Sequence, residues 1–242
     1  MRKLLALALL LGSTTINAQT ITAAGDPWPP FLDPDHPQQG VATELVKAAF
    51  ASQGDELKLD FVPWQRALEG VKEGEYDVLI GAWKTQEREG FLKYSEPYMF
   101  NDVKFIKKKG SDFEYSGMDS LTGKTIGTVR GYGYGDAFEN ATNFKREDAA
   151  NLMPSILKVI GGRIDFTLED EVVAKSLISK ENPEALEQIE FVAKPMSSNG
   201  LYVASGLKNP KHDEIIASLN KGMAAIKADG TFDAILKRNG IK

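Results

Sequence analysis

Gly161-Gly162-Arg163-Ile164-Asp165-Phe166-Thr167-Leu168-Glu169-Asp170-Glu171-Val172 holds three structural signals in one short stretch. The glycine pair stops a helix whose apolar stripe is Leu152, Ile156, Val159 and Ile160. Ile164 to Leu168 reads as a short strand, and Asp170 stands at the start of a further helix running to about Ser179. Helix, strand and helix in close succession is the alternation of an α/β fold.

The same alternation extends in both directions. Towards the N-terminus, Thr20 to Ala24 is a short strand that enters Gly25-Asp26-Pro27-Trp28-Pro29-Pro30-Phe31, which is too rich in proline to be regular. Val41 to Gly54 is a helix, Leu57 to Val62 a strand, Trp64 to Glu73 a helix and Asp77 to Gly81 a buried strand. Arg88 follows in the loop beyond that strand's carboxyl end, the usual place for ligand groups in an α/β sheet. Tyr98 to Lys107 reads as a longer strand leaving this unit. A second unit begins near Gly110, with a strand at Thr125 to Val129, a turn at Gly131 to Gly135 and a helix starting near Asp136. Strands at Ile189 to Val192 and Leu201 to Ala204 and helices at Lys211 to Ala228 and Thr231 to Arg238 complete the chain.

Met1-Arg2-Lys3, the apolar run Leu4 to Leu11 and Ile16-Asn17-Ala18 have the composition of a secretory signal peptide cut after Ala18. The run is less than half the roughly 20 residues that a membrane span needs. Cleavage would leave 224 of the 242 residues and shift the formal charge from −5 to −7. The chain has no cysteine, so neither a disulfide framework nor thiol chemistry is available. Lys107-Lys108-Lys109 is the nearest approach to a basic tract and reads as a solvated strand end, so no nucleic-acid partner is expected. His36 and His212 are the only histidines and lie far apart, so no metal site or histidine-based triad is expected. Nor is a cofactor expected: Gly131 to Gly135 has the look of a dinucleotide turn, but Asp136 stands where its third glycine belongs. Asn140-Ala141-Thr142 matches a glycosylation sequon by chance composition.

Two charged positions carry the most specific chemistry. A free amino acid presents a carboxylate and an ammonium on one carbon, so its receptor needs a guanidinium and a carboxylate facing each other. Arg88, in Thr85-Gln86-Glu87-Arg88, and Asp170 are the candidates. The bland alternatives are a solvated surface arginine and a helix N-cap. Trp28, Trp64 and Trp83 all precede residue 90, and at least two of them are expected to line a cleft rather than fill a core.

These motifs occur in an order that resembles the family 3 extracytoplasmic solute-binding proteins, which serve ABC importers of polar amino acids. The resemblance rests on Trp28 to Phe31, Gly74 to Asp77, Thr85 to Arg88, Tyr94 to Tyr98, Leu121 to Gly127 and Gly161 to Val173. It implies a two-lobe periplasmic-binding-protein fold (type II) whose lobes are joined by two hinge crossings. Lobe 1 would be 19–105 with 199–242, and lobe 2 would be 106–198. It implies that Arg88 pairs with a ligand's α-carboxylate, that Asp170 accepts its α-ammonium and that Trp28 lies against its side chain. The family's usual Gly-Thr-Thr is replaced by Gly131-Tyr132-Gly133, whose main-chain N–H groups would still serve the carboxylate. Trp83 replaces a small hydroxyl residue and must reshape the pocket, while Trp64 belongs to a segment that the best-known members lack. Both indoles narrow the space and offer faces to an aromatic or cationic side chain.

The implied function is a monomeric periplasmic receptor that closes on a small polar ligand, an amino acid foremost, and delivers it to an ABC transporter membrane permease. Two other classes stay open: an exported dehydratase-like enzyme on the same fold, with Glu169, Glu171 or Lys84 as its nearest acid or base, and a ligand sensor without transport.

Overall fold

The computed structural model describes residues 18–241. Apart from Ala18, the expected signal peptide therefore lies outside the described residues. In chain order the first unit comprises β1 (Thr20–Gly25), α1 (Val41–Ala51), β2 (Glu56–Phe61), α2 (Trp64–Glu73), β3 (Val78–Ala82), a single helical turn α3 (Gln86–Glu89) and β4 (Leu92–Tyr94). The long strand β5 (Met99–Lys108) leaves it. The second unit contains β6 (Thr125–Val129), the single turn α4 (Asp136–Glu139), β7 (Lys145–Ala149), α5 (Leu152–Ile160), β8 (Phe166–Asp170), α6 (Glu171–Glu181) and β9 (Ile189–Phe191). Strand β10 (Ser197–Gly206) returns to the first unit, where α7 (His212–Ala228) and α8 (Thr231–Arg238) end the chain.

Strand pairing divides these elements into two lobes. Parallel β2, β1 and β3 are followed by antiparallel β10, which also carries β4. On the other side, β5 pairs antiparallel with β8 and β9, and β8 continues through β6 to β7 in parallel. Two strands cross between the lobes, and they pair with each other from Met99↔Leu201 to Val103↔Ser197. Beyond Val103, β5 turns to β8, and beyond Leu201, β10 turns to β3.

Each lobe has its own reason to fold. In the first, α1 presents Val41, Leu45, Val46, Ala49 and Phe50 to a sheet face of Ile21, Ala23, Val78 and Ile80, all buried. Helix α7 lies against α1 so closely that a Cβ on Gly222 would stand 2.0 Å from the Ala49 carbonyl oxygen. In the second, Ile106, Leu152, Ile156, Ala174, Ile178 and Ile189 form a separate buried cluster between α5, α6 and their strands. At about 25 cal/mol per Å² of apolar area, burying each valine, leucine, isoleucine or phenylalanine among these contributes roughly 1.5–3 kcal/mol.

Three expectations need correction. Arg88 lies in the turn α3, because Thr85 caps it, and not in an irregular loop. The helix starting near Asp136 lasts one turn, and the chain then forms the unexpected edge strand β7. The strand ending in the Glu169-Asp170 pair begins at Phe166, two residues later than Ile164.

Candidate functional site

Thr85 Oγ1 accepts the Arg88 N–H at 3.3 Å, closing the turn that carries the arginine inward. The guanidinium is buried. Its Nη1 donates to the Trp83 carbonyl at 2.8 Å and its Nη2 to the Gly131 carbonyl, which belongs to the other lobe. Its carbon sits 5.5 Å from the centre of the Trp64 ring. Burial lowers the Arg88 pKa from its usual value. Among the described residues no carboxylate forms an ion pair with it. A guanidinium has five donors, so two carbonyls leave capacity for an anion.

Around it stands an aromatic wall from both lobes. Trp28 lies 5.0 Å from Phe31 and meets Trp83 edge-on at 5.7 Å. Tyr132 of the second lobe inserts between Trp64 and Trp83, at 5.9 and 5.7 Å and near-perpendicular to both. Trp64 Nε1 donates to the Gly131 carbonyl at 2.7 Å, whereas Trp83 Nε1 is buried without an acceptor among the described residues. Gly133 is buried against the arginine: a Cβ there would stand 2.7 Å from Thr85 Cγ2 and 2.8 Å from Arg88 Cζ. Only glycine permits that approach, and its own N–H has no protein acceptor among the described residues.

Three carboxyl groups lie near this cluster, each in different surroundings. Asp26, just past β1, accepts the Tyr132 hydroxyl at 2.8 Å; desolvation raises its pKa to about 7. Glu169, on β8, accepts Trp28 Nε1 at 3.2 Å and the Asp170 N–H at 2.8 Å on the same oxygen. Desolvation raises it to about 8, and the nearby Asp170 and Asp26 charges add to the rise. The two are therefore not both ionised at neutral pH. Asp170 caps α6: its Oδ1 accepts the N–H groups of Val172 and Val173 at 2.8 and 3.0 Å, and its Oδ2 accepts Asn101 Nδ2 at 3.1 Å. Burial raises its pKa as well.

Trp28, Trp64, Trp83, Arg88, Tyr132 and Gly133 line one inner cavity together with Asp26 and Leu32. Asp170 is absent from that lining, being turned to its own helix and to Asn101. The cavity offers about 20 Å³ of room for water-sized centres, roughly one water and far less than an amino acid. It adjoins an outer cleft of about 410 Å³, bounded by Asp26, Trp64 and Tyr132 with Glu169, Leu152 and Leu177. Cross-lobe contacts hold this closed arrangement: besides those above, the Gln86 N–H meets Asp136 Oδ1 at 3.0 Å and Lys180 pairs with Asp35. Sequence reasoning missed Asp26 altogether and raised Glu169 only as an enzyme's acid. Asp26 was legible only as part of a proline-rich turn, and its burial is set by Tyr132 from a distant segment.

The family described as bacterial extracellular solute-binding proteins, family 3, matches residues 21–240. The ABC transporter arginine-binding protein 1 of Escherichia coli is 27% identical, over 96% of this chain and 97% of that protein. The histidine-binding periplasmic protein of the same organism is 24% identical, over 98% and 96%. A histidine kinase sensor domain with similarity to periplasmic binding proteins superposes with a TM-score of 0.76 at 19% identity, covering 90% of this chain and 95% of that one. With a family match along nearly its whole length and a two-lobe α/β fold to go with it, the chain belongs to the family 3 bacterial extracellular solute-binding proteins.

Proposed function

We propose that the protein binds a free amino acid in the periplasm, closes its lobes upon it as a monomer and delivers it to the membrane permease of an ABC importer. The lobes in this reading are 19–105 with 199–242 and 106–198. The observation that carries it is the buried Arg88 guanidinium, which has two backbone carbonyls as partners and no carboxylate among the described residues. Such a group in a desolvated cavity is poised for a carboxylate, and the free N–H of Gly133 and Nε1 of Trp83 add neutral donors beside it. Asp170 lines neither cavity of the shut form, so its part in this reading, as the ammonium acceptor that the family resemblance implies, falls to Oδ2, which has one lone pair left after Asn101, Oδ1 being filled by its two amide donors. Trp28, Trp64 and Tyr132 wall the side chain. Entry requires the lobes to part, because the closed inner cavity is too small.

A thermal-shift series with the common amino acids tests this. A ligand at about 100 times its dissociation constant stabilises by roughly 2.7 kcal/mol, or about 5 to 10 °C at this size. Arg88→Ala should still melt cooperatively but lose about 2 to 5 kcal/mol of binding. If no amino acid shifts the wild type, or if Arg88→Ala responds as the wild type does, the reading is wrong. One observation favours a second reading. Glu169, neutral near pH 7 in a cleft, has the protonation of a general acid. Turnover of cyclohexadienyl acids followed by NMR would establish an enzyme.

A further inference from the structure

The turn Gly131-Tyr132-Gly133 of the second lobe reaches into the first and takes up the groups assigned above to a ligand. Gly131, at φ 76°, offers one carbonyl to two donors of the first lobe, Arg88 Nη2 and Trp64 Nε1. The next residue sets its ring in the slot between Trp64 and Trp83, 5.9 and 5.7 Å from their ring centres and near-perpendicular to both. Its hydroxyl donates to Asp26 at 2.8 Å. An acceptor on the guanidinium and an aromatic ring between the indoles, a few bonds apart, are also the two ends of a free aromatic amino acid. The turn differs in charge: its acceptor is neutral, and no carboxylate among the described residues pairs with Arg88.

We propose that the slot between Trp64 and Trp83 is the seat of an aromatic side chain on the ligand, and that Tyr132 is a built-in stand-in which the ligand displaces. This rests on the amino-acid reading above and names the ligand class within it. The slot discriminates on two grounds. Ring pairs at these separations and angles are favourable beyond the area they bury, and an aliphatic chain of equal bulk forfeits that part. A basic side chain would bring its charge into the cavity that the Arg88 guanidinium lines, 5.5 Å from the same Trp64 ring. Displacement is balanced group for group. A ring replaces a ring of the same size, and a carboxylate replaces a carbonyl on Arg88, turning a neutral acceptor into a charged one. Tyr132 is only partly buried and borders the outer cleft of about 410 Å³, so it has room to step aside and wall the bound side chain from there. While it fills the slot it holds affinity down, because a ligand binds only the fraction of molecules whose slot is free.

Calorimetric titration of the full mature chain tests the seat with phenylalanine, cyclohexylalanine, glutamine, arginine and hydrocinnamate, which keeps the ring and the carboxylate but lacks the ammonium. Phenylalanine should bind about 5-fold or more tightly than each of the other three amino acids. Tyr132→Ala should tighten phenylalanine binding by about 10-fold or more, because it empties the slot; removal of a plain wall would weaken it. Should that variant not melt cooperatively, Tyr132→Phe decides, since it loses only the bond to Asp26 and should tighten binding several-fold. Any of the other three amino acids binding as tightly as phenylalanine, or unchanged or weaker phenylalanine binding in the deciding variant, overturns the seat and leaves the amino-acid reading standing. Hydrocinnamate binding while all four amino acids fail supports the seat and removes the amino-acid reading. Failure of all five probes overturns the seat, and the thermal-shift series then judges the amino-acid reading by itself.

Discussion

Gly133 and Arg88 touch across the lobe boundary, and this makes a single methyl group informative. A Cβ on Gly133 would overlap Thr85 and Arg88, both of the opposite lobe, so the overlap exists only when the lobes are shut. Gly133→Ala should therefore leave the melting temperature of the free protein within a few degrees of wild type, because opening relieves the clash. Ligand affinity should fall at least about 10-fold, since closure on the ligand then works against a contact costing a kcal/mol or more. Equal loss of stability and of affinity would mean that the overlap is not relieved by opening. At this scale the sequence was partly legible. Arg88 announced itself through Thr85, three residues before it, whose hydroxyl makes the turn; Glu169 did not, because β8 is buried on both faces and its alternation of residues carries no direction.

Element boundaries show where local signals suffice. Helix α2 runs from Trp64 to Glu73, as its spacing of Ala67, Leu68 and Val71 predicts, and Gly74 ends it. Strand β7 was invisible: Lys145-Arg146-Glu147-Asp148-Ala149 has no apolar alternation, and it is a strand because β6 offers it five register partners. The helix expected at Asp136 fails for a related reason, since after one turn the chain is drawn back to that edge. Asp170 belongs at this scale too, because it ends β8 and caps α6. Replacing it with alanine should cost about 0.5 to 2 kcal/mol, a drop of a few degrees in melting temperature. Asp170→Asn retains a capping oxygen and should melt near wild type. The asparagine variant then separates the two roles: a proposed ammonium acceptor loses much of its affinity without its charge, whereas a cap alone binds normally.

For the molecule as a whole, the acid pair makes closure depend on protons. In the shut form Asp26 and Glu169 are raised to about 7 and about 8, from ordinary values of 3.8 and 4.5. The shut form thus holds protons that a solvated, open or unfolded form releases between about pH 4 and 8, and it loses stability as pH rises through that window. Small-angle scattering of the free protein should show a smaller radius of gyration at pH 5.5 than at pH 9, with Asp26→Asn and Glu169→Gln weakening the difference. A radius independent of pH in the wild type would refute the coupling.

The two strands that cross between the lobes are bonded to each other, Met99 to Leu201 through Val103 to Ser197. Two separate tethers would allow the halves to swing, slide and twist independently. A laced pair resists sliding, because slipping one strand past the other would break its ladder hydrogen bonds, while it can still bend and twist. With sliding opposed, the chemistry in the cleft is expressed chiefly as the angle between the halves. A partner that touches both halves at once can sense occupancy by that angle alone, without ever reaching the molecule enclosed.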